Sequence, residues 1–287
     1  MKSLSYLKDY KVQSILAPLF KLLEASFELL VPLVVADIID NGINSGDKAY
    51  IFHRCLLLVL LAVVGLISAV SAQFFAAKSA TGATTKLRSA LFKKIQSLSF
   101  SQLDSIGSAT LITRMTSDVN QIQTGINMFL RLLLRSPFIV FGATIMAFYV
   151  DVKGALVFAV VVPVLAIIVA VIMSLTIPRF KGVQNKLDSV LLRTKENVKG
   201  VRVIRAFTRE DKEIAEFEEE NQSLVKLQNV ASWISSIMNP ATFVVINLGV
   251  IFLIYIGAIR VDVGVISQGA VVALYNYMSQ ILVELIK

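Results

Sequence analysis

Six apolar runs punctuate the chain, at residues 14–39, 55–75, 132–150, 155–177, 240–259 and 263–286. A bilayer core of about 30 Å is crossed by about 20 helical residues. Backbone polar groups have no water partners in lipid, so a helix is the economical way across. The pattern therefore predicts six transmembrane helices, the first the most polar because Lys21, Glu24 and Glu28 interrupt it. No ten-residue alternation of the kind that builds a membrane β-barrel occurs.

The connections are unequal. Those around 41–47, 151–154 and 260–262 are short, whereas 76–135 and 178–239 are long and carry a helical period. In the first long segment Leu87, Leu91, Ile95 and Leu98 share a face. A break near 104–108 follows, and Leu111, Met115, Ile122, Ile126 and Phe129 lead back. In the second, Leu187, Val190, Leu191 and Val198 are followed by a turn near 207–211, then by Ile214, Phe217, Leu224, Leu227 and Ile234. About 25 residues of helix beyond the membrane reach about 38 Å. The plan of descending helix, elbow and ascending helix thus occurs twice, either as a solvated stalk or as a lever for a cytoplasmic partner.

Composition agrees with a membrane chain: 56% of residues are hydrophobic and 17% charged, where soluble domains carry about 25% charged residues. The net charge of +8 does not point to nucleic acid, because it is concentrated between the apolar runs. Three basic residues precede the first run, eight lie in 76–135 and eleven in 178–239, against four in the opposite loops. The positive-inside rule then puts both termini and both long segments in the cytoplasm. Residues 1–13 form a cytoplasmic N-terminal segment and 14–287 one membrane domain. The first run is too long and too charged for a cleaved signal peptide. The short termini and lack of a transit peptide suggest a bacterial plasma membrane. A single cysteine, Cys55, excludes an internal disulfide, and neither it nor the lone His53 has partners at metal-ligand spacing.

Two stretches carry a family likeness. One runs Asp104-Ser-Ile-Gly107-Ser-Ala-Thr-Leu111-Ile-Thr-Arg114-Met-Thr-Ser-Asp118-Val. The other runs Glu196-Asn-Val-Lys-Gly200-Val-Arg-Val-Ile-Arg-Ala206-Phe207-Thr-Arg209-Glu210, with Phe217 and Asn221 beyond. Together, in register with six runs and two long loops, they resemble the transmembrane domain of ABC exporters of the multidrug and lipid-flippase type. The resemblance implies an all-α, type-1 exporter fold whose two cytoplasmic helical extensions end in coupling helices, at 103–113 and 206–212. It implies that Phe207 docks into a groove on a nucleotide-binding domain, that the second elbow crosses to the partner subunit, and that two six-helix halves assemble as a homodimer or heterodimer. Leu103 stands where the family has an aromatic, and Gly107 is followed by Ser-Ala-Thr rather than by the usual pair, so the first elbow is expected to dock differently. Arg114 and Asp118, at i,i+4, can pair along one helix face; they are read either as solvating the helix or as part of the docking surface.

No G-x-x-x-x-G-K-[ST] phosphate loop occurs, nor any His-Glu-x-x-His or Gly-x-Ser-x-Gly. ATP and Mg²⁺ are therefore expected on a nucleotide-binding domain outside this sequence, which reads as a fragment or as a subunit served by a separate ATPase. Charged residues within a span face a cavity or a partner. Glu24 and Glu28, with Arg131, Arg135 and Asn247, are the candidate cavity residues, either receiving a cationic substrate or paired internally with Lys21 and the arginines. A secondary transporter would place charge at broken midplane helices, and a scaffold or sensor would use the stalks only to bind; both are the alternative readings.

Overall fold

The computed structural model describes residues 2–286, with side chains from Tyr6 to Glu284. Met1 and Lys287, the outer limits of the predicted 1–13 and 14–287 segments, lie outside the described residues. A 3-10 helix, Lys2–Tyr10, leads into α1 (Lys11–Asp37), which ends in a π-helical turn, Ile38–Ile43. Then come α2 (Lys48–Gln96), α3 (Phe100–Ile106), α4 (Ser108–Thr113), a π turn (Arg114–Asp118), α5 (Val119–Leu132) and α6 (Arg135–Val150). The chain continues through α7 (Val152–Ala206), α8 (Glu210–Ser236), α9 (Met238–Asp262) and α10 (Gln268–Ile286). It divides into two compact units, one reaching to Phe158 and resuming over Phe252–Leu285, the other Ala159–Ile251.

Four helical stretches, Lys48–Gln96, Ser108–Val150, Val152–Ala206 and Glu210–Asp262, are long and apolar enough to cross a membrane. They contain the second to fifth predicted runs. The first and last runs form helices α1 and α10 but fall outside that set. α1 carries Lys21, Glu24 and Glu28, and α10 carries Asn276, Gln280 and Glu284. At 1.5 Å per residue the 49 residues of α2 extend about 74 Å and the 55 of α7 about 83 Å, far beyond a core of about 30 Å. The long descending helices of the sequence reading are therefore unbroken ones.

In the first unit α1 packs along α2 through small residues. Ala17 meets Ala76, Ala80 and Ala83, with Ile126 and Leu130 of α5 closing the cluster and Tyr6 and Leu7 resting on its rim. Alanine at these spacings lets helix backbones approach closely, which is how membrane helices gain dispersion energy without a hydrophobic drive. The outward residues of α2, including Leu56, Leu60, Val63, Ile67 and Val70, are exposed.

The short connections differ in detail from expectation. Asp151 alone separates α6 from α7: its Oδ2 accepts from the Gly154 N–H at 2.7 Å, and its Oδ1 accepts from Arg260 at 2.7 Å. One carboxylate thus caps α7 and anchors α9, so no longer loop is needed. Asp151→Asn is expected to destabilise the protein by about 1.5 kcal/mol, since it keeps the cap but removes the charge opposite Arg260; thermal unfolding in detergent would measure it. The sixth run begins later than 263, because Gly264 takes φ +71° and the Val265 N–H donates to the Arg260 carbonyl at 2.9 Å. That reversal consumes 263–267, and α10 starts at Gln268.

In the second unit α7 and α8 form a hairpin. Its core includes Val190, Leu224 and Ala231. The acidic first turn of α8, Glu210, Asp211 and Glu213, suits the positive end of the helix dipole.

Candidate functional site

Three regions bear on function: a charged cluster on α1, α6 and α10, and the two elbows. In the cluster Arg135 donates from Nη2 to Glu28 Oε2 and from Nη1 to Glu284 Oε1, both at 2.8 Å. Its side chain is 11% exposed, that of Glu284 only 4%, and that of Glu28 43%. Ser136 donates to the other Glu284 oxygen at 3.2 Å. Tyr277 donates to the Leu29 carbonyl at 2.7 Å, and Gln280 to the Glu28 carbonyl at 3.3 Å. Two buried atoms, Arg135 Nε and Gln280 Oε1, have no hydrogen-bond partner among the described residues. Glu24 pairs with Lys21 at 2.6 Å one turn away.

Two depressions flank Glu28. One, of about 480 Å³, is bounded by Glu24, Phe27, Arg135 and the apolar Leu58, Leu61 and Leu66. The other, of about 330 Å³, is bounded by Glu28, Asn276, Ser279, Gln280 and Glu284, with Val31, Pro32, Ile139 and Val283 as its apolar wall.

Of the predicted cavity residues the structure brings Glu24, Glu28 and Arg135 together. Arg131 sits in the last turn of α5 without an ion pair to Glu24 or Glu28 among the described residues. Asn247, in the other unit, is exposed and donates to the Phe243 carbonyl of its own helix at 2.7 Å. Sequence reading missed Glu284, Gln280 and Asn276. Their i, i+4, i+8 spacing on an otherwise apolar helix was the available signal.

The first elbow, expected over 103–113, is helical on both sides of Gly107: the end of Phe100–Ile106 and the whole of Ser108–Thr113. Ser99 and Gln102 form a reciprocal capping box, and Gly107, at φ +80°, ends the turn. The short helix is thus Phe100–Ile106, with Asp104 exposed on it and Phe100 87% exposed. Beyond it Leu111 is buried, while Arg114 and Asp118 are exposed. No ion pair joins these two among the described residues, because Arg114–Asp118 is a π turn. Its i→i+5 ladder takes i and i+4 out of the alignment an α-helix would give. Above the elbow α2 is held to the returning strand of helices by polar bonds. Thr84 donates to Gln123 at 3.1 Å, and Arg88 donates to Asn120 at 3.1 Å and to the Met115 carbonyl at 3.3 Å.

The second elbow is a turn of three residues, Phe207 to Arg209, rather than a separate helix over 206–212. α7 stops at Ala206, Thr208 takes φ +52°, and the Arg209 N–H returns to the Ile204 carbonyl at 3.0 Å. The left-handed residue reverses the chain within one turn, and α8 resumes at Glu210. Phe207 is 74% exposed at the tip. Arg193 braces the hairpin, meeting Glu216 at 2.6 Å, Glu220 at 3.0 Å and Glu213 at 3.7 Å. The hydrogen bond from Arg193 holds the Glu216 carboxyl below the usual carboxylate range, and the same bond raises Arg193. Glu196 and Gly200 lie beside this brace, lining a depression of about 320 Å³.

A depressed carboxylate contributes stability that is complete above its unfolded value, about 4.3, and is lost as pH falls through its lower folded value. Amide exchange at the start of α8 is therefore expected to be unchanged from pH 7 to 5 after correction for intrinsic rates, and to accelerate below pH 4. Glu216→Gln is expected to remove much of that pH dependence.

The family model described as the ABC transporter transmembrane region matches residues 14–285. An uncharacterized ABC transporter ATP-binding protein of Bacillus subtilis, YfiB, is 30% identical over 280 residues, covering 98% of this chain and 49% of that protein. An uncharacterized ABC transporter ATP-binding protein of Mycobacterium tuberculosis is 31% identical over 283 residues, 98% of this chain and 48% of its own length. A Rickettsia felis protein, provisionally named an export ATP-binding/permease protein, is 24% identical over 293 residues, 96% of this chain and 48% of its own. The chain spans about half the length of these curated relatives.

Proposed function

Because the chain belongs to the ABC transporter transmembrane region family, we propose that it forms the membrane half of an ATP-driven exporter, supplying the substrate pathway and the levers that move it. The observation that carries this reading is the pair of helices, α2 and α7, that outrun any bilayer and each end near an elbow with an exposed phenylalanine. An apolar knob at the end of a rigid rod is suited to seat in a partner's groove and to transmit displacement. On this reading α1 and α10 complete a six-span domain over 14–287, since Glu28, Arg135 and Glu284 pair with one another instead of facing lipid. The basic segments and both termini lie in the cytoplasm of a bacterial plasma membrane.

The chain contains no phosphate-loop sequence, so its own residues do not fit ATP and Mg²⁺. Those would be held by a nucleotide-binding domain seated on the elbows: Asp104, Gly107, Leu111, Arg114 and Asp118 around the first, and Glu196, Gly200, Ala206, Phe207, Arg209 and Glu210 around the second. A second transmembrane half would complete the pathway. The wall bearing Glu24, Glu28 and Arg135 would face it, whereas Asn247 has no shared cluster to support the same role.

ATP-dependent movement of a tracer in vesicles containing the assembled transporter tests the reading. Movement that follows an ion gradient without ATP would favour a secondary transporter. Absence of movement, with the nucleotide-binding partner still bound to the elbows, would favour a scaffold.

A further inference from the structure

We infer that the α7–α8 hairpin, where its helices leave their uncharged stretches, is a binding surface for the headgroups of anionic phospholipids. The inference goes beyond the export reading and needs only that the chain spans a membrane. No charged residue occurs from 154 to 178 on α7, or from 227 to 259 across α8 and α9. Both stretches lie in helices long and apolar enough to cross a bilayer. Toward the elbow each ends at a cation, Arg179 on α7 and Lys226 on α8. Arg193 meets Glu216 and Glu220 across the antiparallel hairpin. Equal rises up both helices from that brace bring Arg179 level with 230–234. The two helices therefore become charged at about the same height.

The band they share is one-signed. Arg179, Lys181, Lys186 and Lys226 are the charged residues of 179–187 and 221–234, and none of them has an ion pair among the described residues. The acids at its lower edge are engaged: Glu220 by Arg193 at 3.0 Å, and Asp188 by the Gln184 amide at 3.3 Å. Arg179 is exposed and spends one N–H on the Leu175 carbonyl at 2.7 Å, which leaves the rest of its guanidinium for another acceptor. Above the cations the exposed surface is apolar. Lys226, Val230, Trp233 and Ile237 recur at i, i+4, i+7 and i+11 and so share one face of α8. Trp233, 73% exposed, stands about 10 Å along the helix from Lys226. That is the order in which an interfacial indole and a phosphate-binding cation are met on leaving hydrocarbon. On α7 the exposed Ile177 and Phe180 flank Arg179 in the same way. An acidic protein would meet the cations but leave the apolar residues above them uncovered. An anionic phospholipid covers both, its phosphate on the cations and its chains along Val230, Trp233 and Ile237.

Trp233 is the single tryptophan of this sequence, so its fluorescence reports its own lipid neighbours, with Trp233→Phe supplying the background in the assembled transporter. The vesicles hold equal parts of phosphatidylglycerol and phosphatidylcholine, and one lipid at a time carries bromine near the top of its acyl chains. Brominated phosphatidylglycerol is expected to quench as though enriched beside Trp233 by about fivefold over brominated phosphatidylcholine, the gain expected of one cation at an anionic surface. Arg179→Gln, Lys181→Gln and Lys226→Gln combined are expected to remove the enrichment while quenching by either lipid persists. Thermal unfolding checks that the combined variant is folded. Equal quenching by the two lipids in the unaltered protein, or enrichment retained in the folded variant, overturns the site. So does the absence of quenching by either lipid, which would mean that another protein surface covers this face. Because no nucleotide is present, none of these results bears on the exporter reading, which the tracer assay tests separately.

Discussion

Methionine in place of Arg135 is expected to destabilise the protein by about 3–5 kcal/mol, the cost of stranding a buried charge. Most of that cost arises at Glu284, whose side chain is 4% exposed. Glu28, at 43%, can recover water and contributes little, as exposed pairs generally do. Among the described residues Ser136 still donates to Glu284, but a hydroxyl does not replace the charge of a guanidinium.

The double variant Arg135→Met, Glu284→Leu discriminates between two roles for the cluster. Replacing both partners by apolar groups of similar size is often nearly neutral, so the double variant is expected to regain most of the lost stability. Arg135→Lys should fall between, since an ammonium lacks the fork that reaches two carboxylates at once. Thermal unfolding in one detergent measures all three. A loss below about 1 kcal/mol in Arg135→Met would mean that the cluster is solvated and does not hold α1, α6 and α10 together.

The legible part of this protein was whatever repeats along the chain. Long apolar runs and the helical period between them are each set by many residues, so single exceptions do not hide them. Hence α2 and α7, with their elbows, followed from pattern alone. What escaped depends on one residue meeting another far away. Glu284 and Glu28 are 256 positions apart and meet through Arg135, a geometry no local period encodes.

The elbows show the same limit in finer detail. The expected elbow at 103–113 followed from a likeness to a motif; what the motif did not show is that Gly107 divides it into two short helices, the first started by a Ser99–Gln102 cap. The emphasis on Leu103 as the missing aromatic overlooked Phe100, three residues earlier and more exposed. In the second elbow, Thr208 takes the left-handed conformation that glycine would advertise in a sequence, so the tightness of the turn had no obvious marker. Pairing of Arg114 with Asp118 failed for a related reason: residue spacing was read with the α-helical period where the backbone adopts a π turn.

Phe207→Ala is expected to leave the fold unchanged and to reduce ATP-driven tracer movement by about thirtyfold or more. The first half follows from exposure: at 74% exposed the ring contributes little to packing, and surface substitutions of this kind usually change stability by no more than about 0.5 kcal/mol. The second follows from its proposed seat. An aromatic anchor at the centre of an interface commonly contributes about 2 kcal/mol or more, which is about thirtyfold in an equilibrium. If the lever is to move with its partner, that contact must persist through the stroke, so its loss appears in coupling as well as in affinity.

Phe207→Leu should retain part of the activity, because it keeps an apolar knob, and Phe207→Asp should retain none. The readout that separates coupling from assembly is the ratio of tracer moved to ATP hydrolysed, measured where the nucleotide-binding partner is saturating. A fall in that ratio with hydrolysis maintained places Phe207 in the transmission of force. Wild-type movement by folded Phe207→Ala would mean that the second elbow is not the point of engagement. Phe100, the other exposed aromatic, would then be the residue to replace, since it lies on the one elbow that forms a capped helix of its own.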